Sequence, residues 1–312
     1  MIEISNLVKK YGNHVAVDHL SLTMEPGKIY GFLGPNGAGK STTMNIITGY
    51  IGATEGTVAI NGHDIFAEPE EAKKCVGYLP ELPPLYVDMT VREYLDFAAE
   101  LKKLEKSLRK RYVEEAMKTT GILEVSGRMI RNLSKGYKQR VGLAQAILGL
   151  PEVIILDEPT VGLDPAQIIE IRDLIRELGK KHTVILSSHI LTEISAVCDH
   201  VFIVSKGKLV ASDTTENLVN LMSGVQEVVL TVRADAQACK TALEEMEEAE
   251  RVEVLASGAE AQLAVYAKKG KDIREQVYFR MCDSRIPVLE MRTSARSLED
   301  IFIELTQEGG EG

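Results

Sequence analysis

The sequence has no tryptophan and few cysteines. Cys75, Cys198, Cys239 and Cys282 are widely separated, with no CxxC pair and no histidine at metal-ligand spacing. This distribution argues against a disulfide framework and against a cysteine-based zinc site. It is typical of reduced thiols in a cytosolic protein.

Long hydrophobic runs are also missing. The apolar runs VIIL and VFIV are far shorter than the roughly 20 residues that a membrane-spanning helix needs. The opening residues, MIEISNLVKKYG, contain no apolar core of signal-peptide length. We therefore expect that a role at a membrane would require docking onto another chain.

The chain has no excess of basic residues, since its formal net charge is −10. Nucleic-acid binding favours a basic surface, so nucleic acid is not expected as the main partner. The hydrophobic fraction of 45% and the charged fraction of 26% are those of a globular protein. A length of 312 residues is sufficient for one large domain or two ordinary ones.

Residues 1–222 show the alternation of an α/β domain. IEISNLV and HLSLTM alternate apolar and polar residues, as half-buried strands do, while the apolar run IYGFLG predicts a strand buried on both faces. Strands and helices alternate again from VIILDE onward, which predicts a mostly parallel sheet with helices on both faces. Between these parts, residues from about 86 to 145 have helical spacing of apolar positions and predict a helical insert.

Residues 223–312 form a separate pattern. Their segments are predicted in the order strand, helix, strand, strand, helix, strand, which indicates a ferredoxin-like α+β domain. A further amphipathic helix, SLEDIFIELTQ, is predicted before a GGEG tail. Such an accessory domain could sense a ligand, aid dimerisation or only stabilise the first domain.

The strongest functional motif is GPNGAGKS, which fits the pattern GxxxxGK[ST] between a predicted buried strand and a predicted helix. Its glycines allow backbone N–H groups to face an anion, Lys40 can bind the terminal phosphates of a nucleotide, and the Ser41 hydroxyl can bind Mg²⁺. The alternative is an ordinary glycine turn before a helix. The residues assigned to ATP are Gly34, Pro35, Asn36, Gly37, Ala38, Gly39, Lys40, Ser41 and Thr42.

Two acidic residues follow the buried strand in VIILDE. Asp157 is predicted to hold Mg²⁺, and Glu158 to polarise the water that attacks the γ-phosphate. The same pair in isolation would more often be a solvated loop. The phosphate loop upstream and PTVGLDP downstream favour the catalytic interpretation.

With these motifs, about the first 220 residues of the chain resemble the ATP-binding-cassette ATPases. Tyr11 in KKYG is similar to the family's adenine-stacking aromatic residue, and LSKGYKQR to its signature motif. GLDP, which contains Asp164, resembles its dimer loop, and SSH, ending at His189, its switch histidine. Together with the phosphate loop and VIILDEP, these motifs occur in the family's order.

The resemblance implies a fold and a mechanism. The fold is that of a P-loop NTPase cassette, with an antiparallel β subdomain beside the parallel sheet. Two cassettes would sandwich two ATP molecules, so that Ser134 and Gly136 of one subunit cap the γ-phosphate held by Lys40 of the other. His189 would contact this phosphate, and Asp164 would couple the two sites. Opening of the dimer after hydrolysis would move an integral-membrane permease.

Four positions depart from the family pattern, and one of them, Val161, stands where a serine is common before the GLD triplet. Lys135 and Tyr137 replace a glycine and a glutamine of the usual LSGGQ signature. Lys135 either adds positive charge near the γ-phosphate or points into solvent. Glu81 in GYLPE replaces a glutamine; we group it with Ser41 and Asp157 as a metal ligand, although it adds negative charge beside the phosphates.

The resemblance is greatest to bacterial exporter-type cassettes that work with a separate permease, in drug, gliding-motility or copper-associated systems. It implies a peripheral protein at the cytoplasmic face of the cell membrane that pairs with a second cassette, identical or different. The competing hypothesis is a soluble cassette ATPase that acts on DNA or the ribosome. Five other histidines show no pairing pattern and are expected to be structural: His14, His19, His63, His182 and His200.

Overall fold

The computed structural model describes residues 1–217, 226–268 and 271–295. The chain divides into two compact units, of which the first is Met1–Thr215 and the second begins at Glu216. The predicted domain boundary between residues 222 and 223 lies outside the described residues. So do the predicted helix SLEDIFIELTQ and the GGEG tail.

The first unit contains the following elements. Its strands are β1 (Ile2–Tyr11), β2 (His14–Met24), β3 (Ile29–Leu33), β4 (Glu55–Ile60), β5 (His63–Asp64), β6 (Val76–Leu79), β7 (Val153–Asp157), β8 (Thr183–Ser188), β9 (His200–Ser205) and β10 (Lys208–Thr214). Its helices are α1 (Lys40–Ile47), α2 (Pro69–Lys74), α3 (Val91–Leu101), α4 (Lys106–Thr119), α5 (Lys135–Ile147), α6 (Pro165–Gly179) and α7 (Leu191–Ser195).

A small antiparallel sheet has the strand order β2-β1-β4-β5. On β1 the apolar side chains of Ile2 and Ile4 are buried, whereas Glu3 and Ser5 are exposed. This is the period-2 pattern of a sheet with one face on the core. The sheet is the antiparallel subdomain that the resemblance implied.

The central sheet has the order β10-β9-β3-β8-β7-β6, and all of its pairs are parallel except β9 with β10. Every residue of β3 and β7 is buried, as their continuous apolar sequences predicted. Because parallel strands all end at the same edge, the segments after β3, β6, β7 and β8 meet there. This edge carries the phosphate loop, Glu81, Glu158 and His189.

The helical insert contains α3, α4 and α5. Thr90 starts α3 with a capping box: the Glu93 N–H donates to Thr90 Oγ1 (3.3 Å), and the Thr90 N–H donates to Glu93 Oε2 (2.8 Å). Val91, Leu95 and Ala99 then follow at helical spacing and are fully buried. The insert is therefore fixed by a local cap and one apolar stripe.

The second unit contains β11 (Gln226–Val232), α8 (Ala236–Glu244), β12 (Ala249–Ala256), β13 (Ala261–Ala267), α9 (Arg274–Asp283) and β14 (Val288–Ala295). Its sheet is antiparallel in the order β12-β13-β11-β14. The strand and helix order is the one that the sequence predicted for a ferredoxin-like domain. Its core includes Val228, Leu230, Cys239, Leu263 and Val277.

Some elements differ from the sequence-based expectation. The predicted helix ILTEISAVC is shorter in the structure, because α7 ends at Ser195. The short elements α2 and β5 had no periodic pattern from which to predict them. In the described part of the chain, no helix is long and apolar enough to cross a bilayer.

A close contact of β6 gives a test of the fold. A Cβ added to Gly77 would lie only 2.0 Å from the carbonyl oxygen of Ala146 on α5. We expect Gly77→Ala to lower the free energy of unfolding by about 1–3 kcal/mol, because backbone atoms must move apart. Gly52→Ala is the matched control, since a Cβ there meets no atom within 4 Å. Equal urea-unfolding midpoints for the two variants would contradict the packing of α5 on β6.

Candidate nucleotide site

The loop between β3 and α1 has the conformation that an anion-binding loop requires. Gly37 and Gly39 have φ angles of 82° and 100°, a region that side chains with a Cβ rarely adopt. A Cβ on Gly39 would also lie 2.4 Å from the carbonyl oxygen of Ala16. The loop leads directly into the N-terminus of α1, whose partial positive charge favours an anion.

Lys40 lies inside this loop and is only 5% exposed. Its Nζ donates to the carbonyl oxygens of Gly34 (2.7 Å) and Pro35 (3.3 Å). The same Nζ is 3.4 Å from Glu158 Oε1. The lysine ammonium is thus held at a fixed place, with an anionic partner that belongs to the protein itself.

Asp157 lies at the end of β7 and is 3% exposed. Its Oδ1 accepts hydrogen bonds from Ser41 Oγ (3.2 Å) and Ser187 Oγ (2.5 Å). Burial and the charge of Asp157 raise the pKa of the nearby Tyr78 phenol, which donates to Asn45 Oδ1 (3.1 Å). Ser41 and Asp157, which were predicted as magnesium ligands, are therefore in direct contact.

Glu158 follows Asp157 with a φ of 48°, a left-handed conformation that is uncommon for a residue with a side chain. The turn is supported by Ser187, whose Oγ accepts a hydrogen bond from the Glu158 N–H (2.9 Å). The side chain is 8% exposed, and its Oε2 lies 3.0 Å from His189 Nδ1. One carboxylate thus contacts both Lys40 and His189.

These groups border a cavity of about 400 Å³. Its lining includes most of the predicted site residues, namely Tyr11, Asn36, Gly37, Ala38, Gly39, Lys40, Ser41, Thr42, Glu81, Glu158 and His189. Gly34 and Pro35 instead contact the Lys40 ammonium through their carbonyl groups. Asp157 lies behind Ser41, which is itself part of the lining.

Three further residues line the cavity, His14, Ala16 and Val161, to which the sequence analysis gave no role in the site. His14 was expected to be structural, but it lies beside the cavity with Tyr11. The two residues are paired across the hairpin that joins β1 to β2. Only Gly12 and Asn13 separate them. Had a hairpin been predicted at this turn, Tyr11 and His14 would have been expected side by side at the end of that hairpin.

The signature residues lie elsewhere in the first unit. Ser134, Gly136 and Asp164 line a second cavity of about 510 Å³. Ser134 Oγ accepts from the Tyr137 N–H (3.3 Å) at the start of α5, and Asp164 Oδ1 accepts from the Gln167 N–H (2.9 Å) at the start of α6. Within a single chain, Ser134 and Asp164 therefore cap the N-termini of α5 and α6.

The two unusual signature residues make contacts within their own chain. Lys135 Nζ lies 2.0 Å from the position that a Cβ on Gly162 would occupy. Its side chain thus lies against the dimer loop, a contact that neither expectation for Lys135 included. Tyr137 donates from its hydroxyl to Glu124 Oε1 (2.6 Å), and this hydrogen bond raises the pKa of the phenol.

The oxygen groups at this edge suit a hard cation. Across residues 1–217, 226–268 and 271–295, no three His, Cys, Asp or Glu side chains form a ready-made metal cluster. Mg²⁺ does not need one, because it usually keeps several waters and binds one or two carboxylates together with substrate phosphates. The Asp157 carboxylate, the Ser41 hydroxyl and Glu81 on the cavity wall fit that requirement.

Comparison with known proteins gives consistent matches. A family model described as "ABC transporter" matches residues 17–161. The chain is 36% identical over 307 residues to the bacitracin transport ATP-binding protein BcrA of Bacillus licheniformis, covering 98% of this chain and 97% of that protein. It is 32% identical over 227 residues to the lantibiotic transport ATP-binding protein SrtF of Streptococcus pyogenes, covering 72% and 96%.

The fold also matches a solved structure described as the ATP binding subunit of an ABC transporter. The TM-score is 0.64 at 29% sequence identity, and the match covers 72% of this chain and 93% of the other.

The Ser187 hydroxyl gives a test of the site's construction. We expect Ser187→Ala to lower the free energy of unfolding by about 1–3 kcal/mol, because the buried Glu158 N–H loses its acceptor. Ser5→Ala, an exposed strand serine, should change it by less than about 0.5 kcal/mol. Urea unfolding measures both. Indistinguishable stabilities would mean that Ser187 does not support the turn at Glu158.

Proposed function

The chain belongs to the ABC transporter family as an ATP-hydrolysing, ATP-binding subunit, and we propose that Lys40, Glu158 and His189 carry the hydrolysis. The observation that carries this proposal is the buried Glu158 carboxylate, which lies 3.4 Å from Lys40 Nζ and 3.0 Å from His189 Nδ1 at the phosphate-loop cavity. Phosphoryl transfer needs mainly a positioned nucleophile and compensation of charge, and these three side chains can supply both.

Lys40 and the loop N–H groups bind the phosphates in this mechanism. The γ-phosphate would replace Glu158 as the anionic partner of the Lys40 ammonium. The carboxylate of Glu158 would then be free to accept a hydrogen bond from the attacking water and to orient it. His189, which already contacts Glu158, would hold this carboxylate and face the γ-phosphate.

We assign Mg²⁺ to Ser41 and Asp157, with Glu81 as the third candidate. When bound, this ion would neutralise negative charge on the phosphates. Ser187 Oγ donates a hydrogen bond to Asp157 Oδ1 and helps to keep this carboxylate in place. Tyr11 is assigned to stacking on adenine; it lines the same cavity and is half exposed, so its ring is accessible to a base.

The position of the signature supports the proposal that a second cassette completes the site. Ser134, Gly136 and Asp164 border a cavity other than the one beside Lys40. We propose that a second copy, or a similar chain, brings these groups to the γ-phosphate. Ser134 would present its hydroxyl and the N-terminus of α5, which favours an anion.

The permease is proposed to bind the helical insert. A groove of about 570 Å³ is bordered by apolar and aromatic side chains, including Tyr86, Phe97 and Leu101. Tyr86 is 55% exposed and Leu101 64% exposed. Exposed apolar surface of this kind marks a contact with another protein. It suits an amphipathic helix on the cytoplasmic side of a permease.

The direction and cargo of transport are proposed from the relatives. The two reported above are named for bacitracin transport and lantibiotic transport, so we propose export of an antimicrobial compound. The protein would then work as a peripheral subunit at the cytoplasmic face of the membrane. The relatives give no support to the alternative that it acts on DNA or the ribosome.

We also propose a domain organisation with an ATPase domain in residues 1–222 and an accessory ferredoxin-like domain in residues 223–312. We propose that the accessory domain, whose described core is built from apolar side chains, has a stabilising role.

The catalytic assignment is tested with Glu158→Gln. The amide keeps the shape of the side chain but cannot act as a base, so we expect ATP binding to persist and turnover to fall at least about 100-fold. ATP should also trap a dimer, visible by size-exclusion chromatography. Phosphate release measures turnover, and binding of a fluorescent ATP analogue measures ATP affinity, so the two effects are distinguished.

Lys40→Ala is the companion variant, because it removes the phosphate charge and should weaken ATP binding itself. Multiple turnovers at the wild-type rate by Glu158→Gln would exclude Glu158 as the base.

The permease site is tested with Leu101→Lys in the groove. This charge should abolish co-purification of a multi-span membrane protein from gently solubilised membranes and leave basal ATP hydrolysis within about twofold. Leu289→Lys, at an exposed leucine of β14, is the matched control and should retain the partner. Retention by both variants would contradict the groove as the docking site, and recovery of ribosomes or DNA would overturn the transport proposal.

A further inference from the structure

A third buried carboxyl group, besides those of Asp157 and Glu158, lies beneath the site. Glu193, on α7, is 7% exposed, although glutamate is rarely buried without a partner. Its Oε2 accepts a hydrogen bond from Thr160 Oγ1 (2.6 Å) and another from Ser188 Oγ (3.1 Å). Both partners are themselves buried, at 6% and 1% exposure.

These two hydroxyl groups belong to different segments, the loop after β7 and the last residue of β8. Thr160 follows Glu158 by two residues and precedes the dimer loop, whereas Ser188 immediately precedes His189. Ser188 Oγ also accepts a hydrogen bond from the Ile190 N–H (3.0 Å), which shapes the chain after His189. A single oxygen atom of Glu193 therefore joins the loop after β7 to the end of β8, next to His189.

The position of Glu193 is fixed by its neighbours. Ile194, the next residue, packs so closely on β3 that a Cβ on Gly31 would lie 2.5 Å from Ile194 Cγ2. Leu191 and Ile194 are buried on the same short helix. Since β3 leads into the phosphate loop, this packing holds Glu193 next to the strand that precedes Lys40.

We propose that Glu193 is a positioning residue for ATP hydrolysis: it fixes the loops of Glu158 and His189 relative to each other, and through Thr160 it anchors the start of the dimer loop. The 3.0 Å contact between Glu158 Oε2 and His189 Nδ1 spans the same two loops. Without the Glu193 link, that contact and the placement of the attacking water lose one of their supports.

Glu193 acts through other residues and does not touch the phosphates. It lies below the cavity, and the groups that border the cavity on this side are Glu158, Val161 and His189. What the link requires from residue 193 is a hydrogen-bond acceptor, not a charge. This inference rests on the proposed roles of Glu158 and His189.

The test uses two matched pairs in the full-length protein. Thr160→Val removes the hydroxyl at nearly constant shape, whereas Thr160→Ser keeps it. Glu193→Leu removes the acceptor, whereas Glu193→Gln retains an amide oxygen that can accept both hydrogen bonds. We expect kcat to fall about 10- to 100-fold in Thr160→Val and Glu193→Leu, a size typical of misplaced catalytic groups. Thr160→Ser and Glu193→Gln should stay within about threefold of wild type.

Measurements of ATP-analogue affinity distinguish a loss of positioning from a general loss of structure. The Kd for a fluorescent ATP analogue should stay within about threefold of wild type in all four variants, because the phosphate loop is intact. Glu177→Ala, at an exposed glutamate of α6, is a control for loss of a carboxylate and should leave both quantities unchanged. If Glu193→Leu does not fold, the Thr160 pair decides.

Several outcomes would overturn the inference. They are wild-type kcat in Thr160→Val, equal losses in Thr160→Val and Thr160→Ser, a Glu193→Gln variant as slow as Glu193→Leu, or a loss confined to ATP affinity. Glu158→Gln is measured alongside. If it is inactive while Thr160→Val is fully active, only the role of Glu193 fails; if it hydrolyses ATP normally, the proposed function fails instead.

Discussion

The contact of the Glu158 carboxylate with Lys40 and His189 is the interaction on which the site depends. A carboxylate that is 8% exposed is costly to bury unless charged or hydrogen-bonding groups compensate it. Lys40 begins α1 directly after the phosphate loop, whereas Glu158 follows β7 and His189 follows β8. The parallel sheet brings these three chain segments to one edge, and Ser187 and Glu193 hold the last two together. The fold therefore places the carboxylate that we propose to orient the attacking water next to the lysine that we propose to bind the phosphates.

Local patterns in the sequence were sufficient for the phosphate loop, the buried strands and the order of elements in the second unit. Apolar runs identify β3 and β7, and the residues at their ends are then fixed by the geometry of a parallel sheet. Contacts between distant segments were not predictable in the same way. Ser187 and Glu193 carry no motif of their own, and their partners lie in another loop, as with Thr160 and Glu193. The contact of the Lys135 side chain with Gly162 was not predictable for the same reason, because no local rule relates these two positions.

Helix α5 connects two surfaces that have different proposed partners. Ser134 caps its N-terminus beside the second cavity, whereas Gln145 near its C-terminus borders the apolar groove. Lys102, which also borders the groove, donates to the carbonyl oxygens of Ala146 and Leu148 (both 3.1 Å), and burial lowers its pKa to about 8. A helix of 13 residues is about 20 Å long and is stiff on that scale. A displacement of α5 at the groove would therefore also move the signature residues at its other end, because no flexible loop lies between them to absorb the movement.

The separation of the Lys40 cavity from the Ser134 cavity has a kinetic consequence. If each active site takes groups from two chains, the free protein at low concentration should hydrolyse ATP with a reaction order above one in protein. A permease that holds two cassettes side by side would make that bimolecular step intramolecular. The effective concentration of one cassette near the other would then be in the millimolar range. Assembly on the membrane would then itself activate the ATPase, and unassembled subunits would consume little ATP.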